Sequence, residues 1–409
     1  MLSNDEIDKL IEPVIQRQIA IELYVLKQIA SRIKEIGELL PSDLYKLDWL
    51  SRFSLNSRAI AKELSKMTDL MLADIEKIIQ SAAKETYISS VMRLNSKEFD
   101  FKPFYKNKEV QDIIKAISRN THESFKNISN AWAFMLRSPS DRKRMIPTSL
   151  SETYDNVLDK AIQAAKSQSV SYREAMRETI KELNESGIRR VEYESEKGRH
   201  HSQRLDTAVR RNLMDGVRQV SMNIQEEIGK EFGANGVELT VHAYPAPDHA
   251  PIQGLQFSSE EFKKLQEGND FQSVDGQQFK GIKRGIGKLN CYHFYFPIVI
   301  GVNSPVHSQE ELKTLLRQNE DGITFDNGKH LTKYQCTQEQ RRMETDIRRA
   351  KEGQMTALAA GDEKLALEYQ DKVSITKTKY LAFSKKCGLR PKNERLNVDG
   401  YKEIKRVKM

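Results

Sequence analysis

The length and composition of this chain favour a mostly helical protein with a solvated, basic surface. It has 409 residues, of which 30% are charged, with 11 prolines, 20 glycines and a formal net charge of +8. This length allows two or three domains, and the charge favours either polyanionic partners or plain solubility. A disulfide framework is excluded by the odd number and wide spacing of the cysteines, and the longest apolar run is far shorter than the ~20 residues of a membrane span. The cysteines are Cys291, Cys336 and Cys387.

Residues 1–136 are predicted to form a helical bundle or an extended helical arm. Their apolar residues recur every three or four positions, as on one face of an amphipathic helix. The clearest run comprises Leu26, Ile29, Ile33, Ile36 and Leu40. The last predicted helix of this region includes Trp132 and Met135.

Residues 137–149 are rich in proline, serine and basic residues and are predicted to be a basic linker. Arg142, Lys143 and Arg144 could contact phosphate groups there. Because flexible linkers are often basic for solubility, the linker interpretation is favoured.

Residues 150–305 are predicted to form a small α+β domain. Its longest helix spans residues 203–230 and has an apolar face that begins at Leu205 and ends at Ile228. The opposite face carries candidate nucleic-acid contacts: Arg204, Arg210, Arg211 and Arg218. The alternative is a solvated face whose charges pair with nearby acids.

Two strands of a small sheet are predicted after this helix. The first begins at Val237 and alternates apolar and polar residues, as a half-buried strand does. The second spans residues 290–301, and the same alternation places Cys291 and His293 on one face.

Residues 306–390 are predicted to contain an αα-hairpin, and residues 391–409 a basic tail that is disordered or ordered only on a partner. The first helix is expected to begin at the capping box of Thr337, and the break between the helices at Gly361. Gly388 is expected to end the second helix.

Four residues of the α+β domain have side chains suited to Zn²⁺ or to acid–base chemistry: His242, His249, Cys291 and His293. Asp248 could orient the imidazole of His249. However, Cys291 and His293 are closer in sequence than paired zinc ligands usually are, and a phosphate loop and a nucleophile elbow are both absent. The sequence therefore favours buried, hydrogen-bonded roles, and it predicts neither a cofactor nor an enzyme.

Several spaced motifs resemble the phage minor capsid protein 2 family, which is related to the Mu F-type head-morphogenesis proteins. They are HAYPAPDHAPIQG from His242 and GIGKLNCYHFYFP from Gly285, flanked by RLDTAVRRNLMDGVRQ from Arg204 and the segment that begins at Tyr334. The family often has tryptophan at the position of Ile252 and arginine at that of Tyr292. The motif residues to which the resemblance assigns structural roles are Gln253, Gly254, Asn290, Cys291 and His293.

The resemblance implies a minor structural protein inside a tailed-phage head, near the portal. It implies several copies per particle, with the portal protein, other capsid proteins and packaged double-stranded DNA as partners, and synthesis in the host bacterial cytoplasm without a membrane segment. Such a protein assists head assembly or DNA packaging and delivery, and no catalytic residue transfers. The alternatives are a nucleic-acid-binding protein that uses the arginine face and an enzyme or effector built on the histidine-rich domain.

Overall fold

The computed structural model shows a mainly helical protein with small antiparallel sheets, and this confirms the predicted fold class. It describes residues 2–38, 49–94, 101–130, 132–138, 144–167, 172–194, 200–273, 276–288 and 291–405. Within these ranges, none of the helices has both the length and the apolar character that crossing a bilayer requires.

Ten α-helices, two short 3-10 helices (Phe104–Lys106 and Asn393–Leu396) and eleven strands follow one another along the described residues. The helices are α1 (Asn4–Gly37), α2 (Trp49–Leu94), α3 (Lys108–Asn130), α4 (Leu150–Ser167), α5 (Tyr172–Ser186), α6 (Leu205–Glu231), α7 (Ser259–Gln266), α8 (Gln309–Asp321), α9 (Lys333–Ala359) and α10 (Glu363–Cys387). The strands are β1 (Trp132–Arg137), β2 (Met145–Ser149), β3 (Ile188–Glu194), β4 (His200–Arg204), β5 (Gly236–Leu239), β6 (Gln256–Ser258), β7 (Phe271–Gln272), β8 (Gln278–Phe279), β9 (Tyr295–Ile298), β10 (Ile323–Thr324) and β11 (His330–Leu331).

The chain divides into two compact units, each assembled from three separate segments. Unit 1 comprises Met1–Glu12, Ala73–Ser124 and Arg210–Glu339. Unit 2 comprises Pro13–Leu72, Phe125–Val209 and Gln340–Met409. Because compactness alone does not show which segments fold independently, the contiguous domain boundaries given above stay a prediction.

The core of unit 1 is built around α6, whose predicted apolar face is buried. Its buried residues in this unit include Leu213, Val217, Val220, Ile224 and Ile228. Polar contacts link α6 to the segment from α2, since Thr86 Oγ1 donates to Ser221 Oγ at 3.0 Å and Gln225 Nε2 donates to Ser90 Oγ at 2.8 Å. The predicted helix of residues 203–230 is thus confirmed, except that its first two residues, Gln203 and Arg204, belong to β4.

The sheet that positions the candidate site has the order β6-β5-β9, with β5 central and antiparallel to both neighbours. All four residues of β5 are buried, so the strand is not the half-buried one that its alternation predicted. The Glu238 carboxylate instead accepts hydrogen bonds from Val306 N and Gln256 Nε2, each at 2.9 Å. These donors satisfy buried polar oxygen atoms that would otherwise be costly to remove from water.

The second predicted strand is shorter than expected, because β9 begins only at Tyr295. The extended residues before it remain tied to the end of β5. Phe294 N donates to Thr240 Oγ1 at 2.8 Å, and Thr240 N donates to the carbonyl of Phe294 at 2.9 Å. These bonds hold the chain on either side of the candidate site together.

Unit 2 contains an antiparallel sheet of order β2-β1-β3-β4 that the sequence did not predict. The helical prediction at Trp132 and Met135 was wrong, and the end of the predicted linker, Met145–Ser149, is the edge strand β2. The core of β1 is a short, continuous apolar run, whose periodicity does not distinguish strand from helix. Arg142 and Lys143 lie outside the described residues.

The predicted C-terminal hairpin is α9 and α10. The capping box lies at Thr332 and Gln335, five residues before the predicted Thr337, because Gln335 N donates to Thr332 Oγ1 and Thr332 N donates to Gln335 Oε1. Asp362 caps α10 by accepting from Leu365 N at 3.0 Å. Gly388 ends α10 in the left-handed conformation, as predicted.

Described residues of the C-terminal tail bind the hairpin of the same chain, so the expectation of a tail that is disordered or ordered only on a partner was wrong for this part. Lys351 Nζ donates to the carbonyl of Leu396 at 2.7 Å, and Gln354 Nε2 donates to that of Lys402 at 2.8 Å. Ile404 N donates in turn to the side chain of Gln370 at 2.6 Å. The tail is therefore fastened along both helices of the hairpin.

Candidate functional site

Three of the four predicted histidine and cysteine residues form one buried cluster in unit 1. Cys291 Sγ lies 3.4 Å from His249 Nδ1 and 3.5 Å from His293 Nδ1. His249 comes from the turns after β5, whereas Cys291 and His293 lie in the extended segment before β9. Their exposed fractions are 2%, 6% and 0% in the order His249, Cys291, His293.

His249 is held by Arg284, which the sequence did not identify as part of the site. The Nε2 atom of His249 lies 2.7 Å from the carbonyl oxygen of Arg284. The Arg284 guanidinium binds Asp248 at 2.6 Å, so Asp248 orients His249 through this arginine and lies 3.8 Å from Nε2 itself. The only sign of this role in the sequence is that Arg284 lies in a glycine-rich turn, between Gly281 and Gly285.

His293 is held by Gln253, one of the residues singled out by the family resemblance. Its Nε2 atom lies 3.3 Å from Gln253 Oε1, which also accepts a hydrogen bond from His242 N at 3.2 Å. Gly254 follows with a φ of +74° in a turn closed by its N–H on the carbonyl of Leu239. Asn290 lies outside the described residues.

Cys291 and His249 shift each other's pKa within the cluster. Burial opposes both charges, but their hydrogen bond and mutual attraction lower the pKa of the Cys291 thiol and raise the pKa of the His249 imidazole relative to their ordinary values. Burial and the charges of His242 and His249 hold the pKa of His293 well below its ordinary value. His293 is therefore a neutral imidazole.

His242 and Arg218 flank the cluster. The ring of His242 lies 4.1 Å from that of His293, centroid to centroid, but its Nδ1 bonds to the carbonyl of Ala243. Arg218 is fully buried, with its guanidinium 4.6 Å from the ring centroid of Phe294 and 5.1 Å from that of Tyr292. A cation stacked inside the protein in this way stabilises the fold rather than contacting a phosphate.

Arg204 is also buried, in a charge network that joins all three segments of unit 2. It pairs with Glu22 at 3.1 Å, Glu352 at 3.3 Å and Asp206 at 3.5 Å. Asp206 is bound in addition by Arg348 at 2.8 Å. The acidic side chains around Arg204 therefore already bind the guanidinium that was predicted to contact nucleic acid.

The remaining candidate nucleic-acid contacts, Arg210 and Arg211, are both half-buried on α6 in unit 1. Arg210 pairs with Asp8 and lies 3.9 Å from Glu12. The four arginines therefore do not form a single exposed basic face. For Arg211, contact with nucleic acid stays a prediction.

Comparison with known proteins identifies the family. The family model described as Phage minor capsid protein 2 matches residues 2–384, nearly the whole chain. The chain belongs to the phage minor capsid protein 2 family. Comparisons with curated proteins and with solved structures gave no match.

The match to the phage minor capsid protein 2 family covers the N-terminal helices, the histidine-rich motif and most of the C-terminal hairpin. It supports a structural role in a phage head, a location in the virion and other capsid proteins as partners. The burial of Cys291 and His249 also favours a structural interpretation of this pair, because a substrate must be able to reach a catalytic thiolate.

Proposed function

We propose that this protein is bound inside the head of a tailed phage or prophage-derived particle, near the portal, and assists head assembly and DNA packaging or delivery. The observation that carries the proposal is the family match over residues 2–384. The net charge of +8 supports a place beside packaged DNA, because a basic protein is attracted to a polyanion at close range. The protein acts as a structural component rather than as an enzyme.

The proposal is tested on purified particles. Quantitative mass spectrometry should find the chain in DNA-filled heads at several copies per particle, far fewer than the major capsid protein. Chemical cross-linking of the same particles should join it to the portal protein. A chain that is absent from purified heads but abundant in the lysate would contradict the proposal.

Asymmetric cryo-EM reconstruction tests where in the particle the protein lies, whereas mass spectrometry tests whether it is there. Density for the long helices is expected on the inner side of the portal vertex and should be lost from particles that lack the gene. Density on the outer capsid surface would rule out the interior location while leaving the structural role intact.

A further inference from the structure

Three potential metal-ligand atoms converge on one buried point in unit 1. The Sγ atom of Cys291 and one ring nitrogen each from His249 and His293 lie within 4.8 Å of one another. Both ring nitrogens that face the sulfur are Nδ1 atoms. The residues come from two segments of the chain that the β5 and β9 pairing brings together.

The hydrogen bonds of the two histidines fix which nitrogen carries the proton. Because a backbone carbonyl only accepts, the Nε2 atom of His249 must donate to Arg284 O. Gln253 Oε1 is identified as the amide oxygen because His242 N donates to it, so the Nε2 atom of His293 must donate as well. In the neutral form, both histidines then direct the Nδ1 lone pair at the same sulfur.

This arrangement leaves an electrostatic conflict that a single proton cannot remove. A proton shared by Cys291 and His249 satisfies that pair, but the lone pair of His293 Nδ1 still faces the sulfur at 3.5 Å. Two lone pairs and a thiolate that meet at one point are the surroundings of a bound cation.

We propose that His249, Cys291 and His293 bind a Zn²⁺ ion through the two Nδ1 atoms and the thiolate. With a Zn–S bond of about 2.3 Å, a Zn–N bond of about 2.05 Å and a tetrahedral angle, sulfur and nitrogen ligands lie about 3.6 Å apart. The two distances here are 3.4 Å and 3.5 Å. The ion replaces the proton shared by Cys291 and His249, which leaves to solvent, and water completes the tetrahedron.

The surroundings of the three residues support this site. Histidines that bind zinc usually donate their other ring N–H to a carbonyl or carboxylate, as His249 does to Arg284 O and His293 does to Gln253 Oε1. A mixed thiolate and imidazole set favours zinc over calcium or magnesium, which prefer oxygen. The separation of 42 residues between His249 and Cys291 hides the set from a search for short zinc motifs.

Metal analysis and cobalt substitution of the purified full-length chain test the proposal. The protein produced in zinc-supplemented medium should hold about one zinc ion per chain. After removal of the metal, titration with Co²⁺ should produce the visible bands of a tetrahedral site and a near-ultraviolet charge-transfer band from the thiolate. A protein that holds no zinc and gives no thiolate band would overturn the proposal.

Matched cysteine variants locate the ion. Cys291→Ser should abolish the thiolate band and most of the bound zinc, whereas Cys336→Ser, at another buried cysteine of unit 1, should retain both. Zinc retention by Cys291→Ser at the wild-type level, or an equal loss in Cys336→Ser, would overturn the assignment. If Cys291→Ser does not fold by circular dichroism, His249→Gln with the same cobalt titration decides, and an unchanged spectrum contradicts the site.

Discussion

The side-chain oxygen of Gln253 lies 3.3 Å from Nε2 of His293, forty residues further along the chain. Gln253 is 3% exposed and is held in place by the backbone N–H of His242. It therefore orients a ring that is itself a proposed zinc ligand.

Replacing Gln253 should weaken zinc binding without removing a ligand. Gln253→Ala is expected to lower zinc affinity about 10-fold to 100-fold, the usual effect of losing a group that orients a metal-bound histidine. Competition titration with a chelator measures the change. Gln256→Ala, which alters the nearby strand β6, is the control and should leave the affinity unchanged. Equal affinities for wild type and Gln253→Ala would show that this hydrogen bond does not support the site.

Alanine substitutions at two glycines of unit 1 can distinguish the free-energy cost of a left-handed backbone from the cost of side-chain crowding. Both have positive φ, +71° at Gly233 and +74° at Gly254. A Cβ on Gly233 meets no described atom within 4 Å, whereas one on Gly254 would lie 2.5 Å from Leu312 Cδ2 and 2.8 Å from Val241 Cγ2.

Gly233→Ala should lower the free energy of unfolding by about 1–2 kcal/mol, the cost of a left-handed alanine. Gly254→Ala should cost about 1–3 kcal/mol more, because its neighbours must also move. Urea denaturation followed by circular dichroism measures both values. Similar losses for the two variants would mean that the turn at Gly254 yields easily to the added methyl group.

The buried charge network of unit 2 should make stability depend on pH through Glu22. Burial raises the pKa of Glu22 to about 8; Arg204 opposes this shift, whereas Glu352 and Asp206 add to it. The folded state therefore keeps a proton that the unfolded state, with a carboxyl pKa of about 4.5, releases. The contribution of this group to stability is full below pH 4.5 and falls as the pH rises to about 8.

The slope due to Glu22 should not exceed about 1.4 kcal/mol per pH unit, the value for one proton. Glu22→Gln should remove that slope, since the amide does not titrate. Urea unfolding at a series of pH values tests this, with Glu35→Gln, an exposed carboxylate on the same helix, as the control. If the fall in stability with pH is equally steep in Glu22→Gln, another group causes it.

DNA binding by the protein should weaken with salt and depend on Arg211 more than on the buried arginines. If Arg211 contacts a phosphate, Arg211→Gln should reduce the slope of log affinity against log salt by about 0.9. Fluorescence anisotropy with duplex DNA at several salt concentrations measures it. Lys230→Gln removes the same charge near the other end of α6 and serves as the control. An unchanged slope in Arg211→Gln would exclude this contact.

The helices could be predicted from the sequence because their evidence is local. The apolar period of α6 and the helix breaks at Gly361 and Gly388 depend on a few neighbouring residues, and the structure confirms them. Strand β1 could not be distinguished from a helix by its sequence. Its strand conformation depends on pairing with β2 and β3, which the local apolar pattern does not reveal.

The site could be predicted only in part. The sequence identified His249, Cys291 and His293, and the structure brings them together, but their distances depend on the antiparallel pairing of β5 with β9. The burial of Arg204 and Arg218 was not foreseen, because their partners lie far away in sequence: Glu22 and Glu352 around one, and two aromatic rings near residue 293 around the other.

The interleaved segments of unit 2 constrain when this unit can fold during synthesis. Glu22, Arg204 and Glu352 leave the ribosome far apart in time, so the buried contacts of Arg204 are complete only after the third segment has been made. A nascent chain that stops at residue 339 contains every segment of unit 1 but lacks the last segment of unit 2. A stop codon after residue 339 should therefore leave Arg204 without Glu352 and prevent unit 2 from completing its buried charge network.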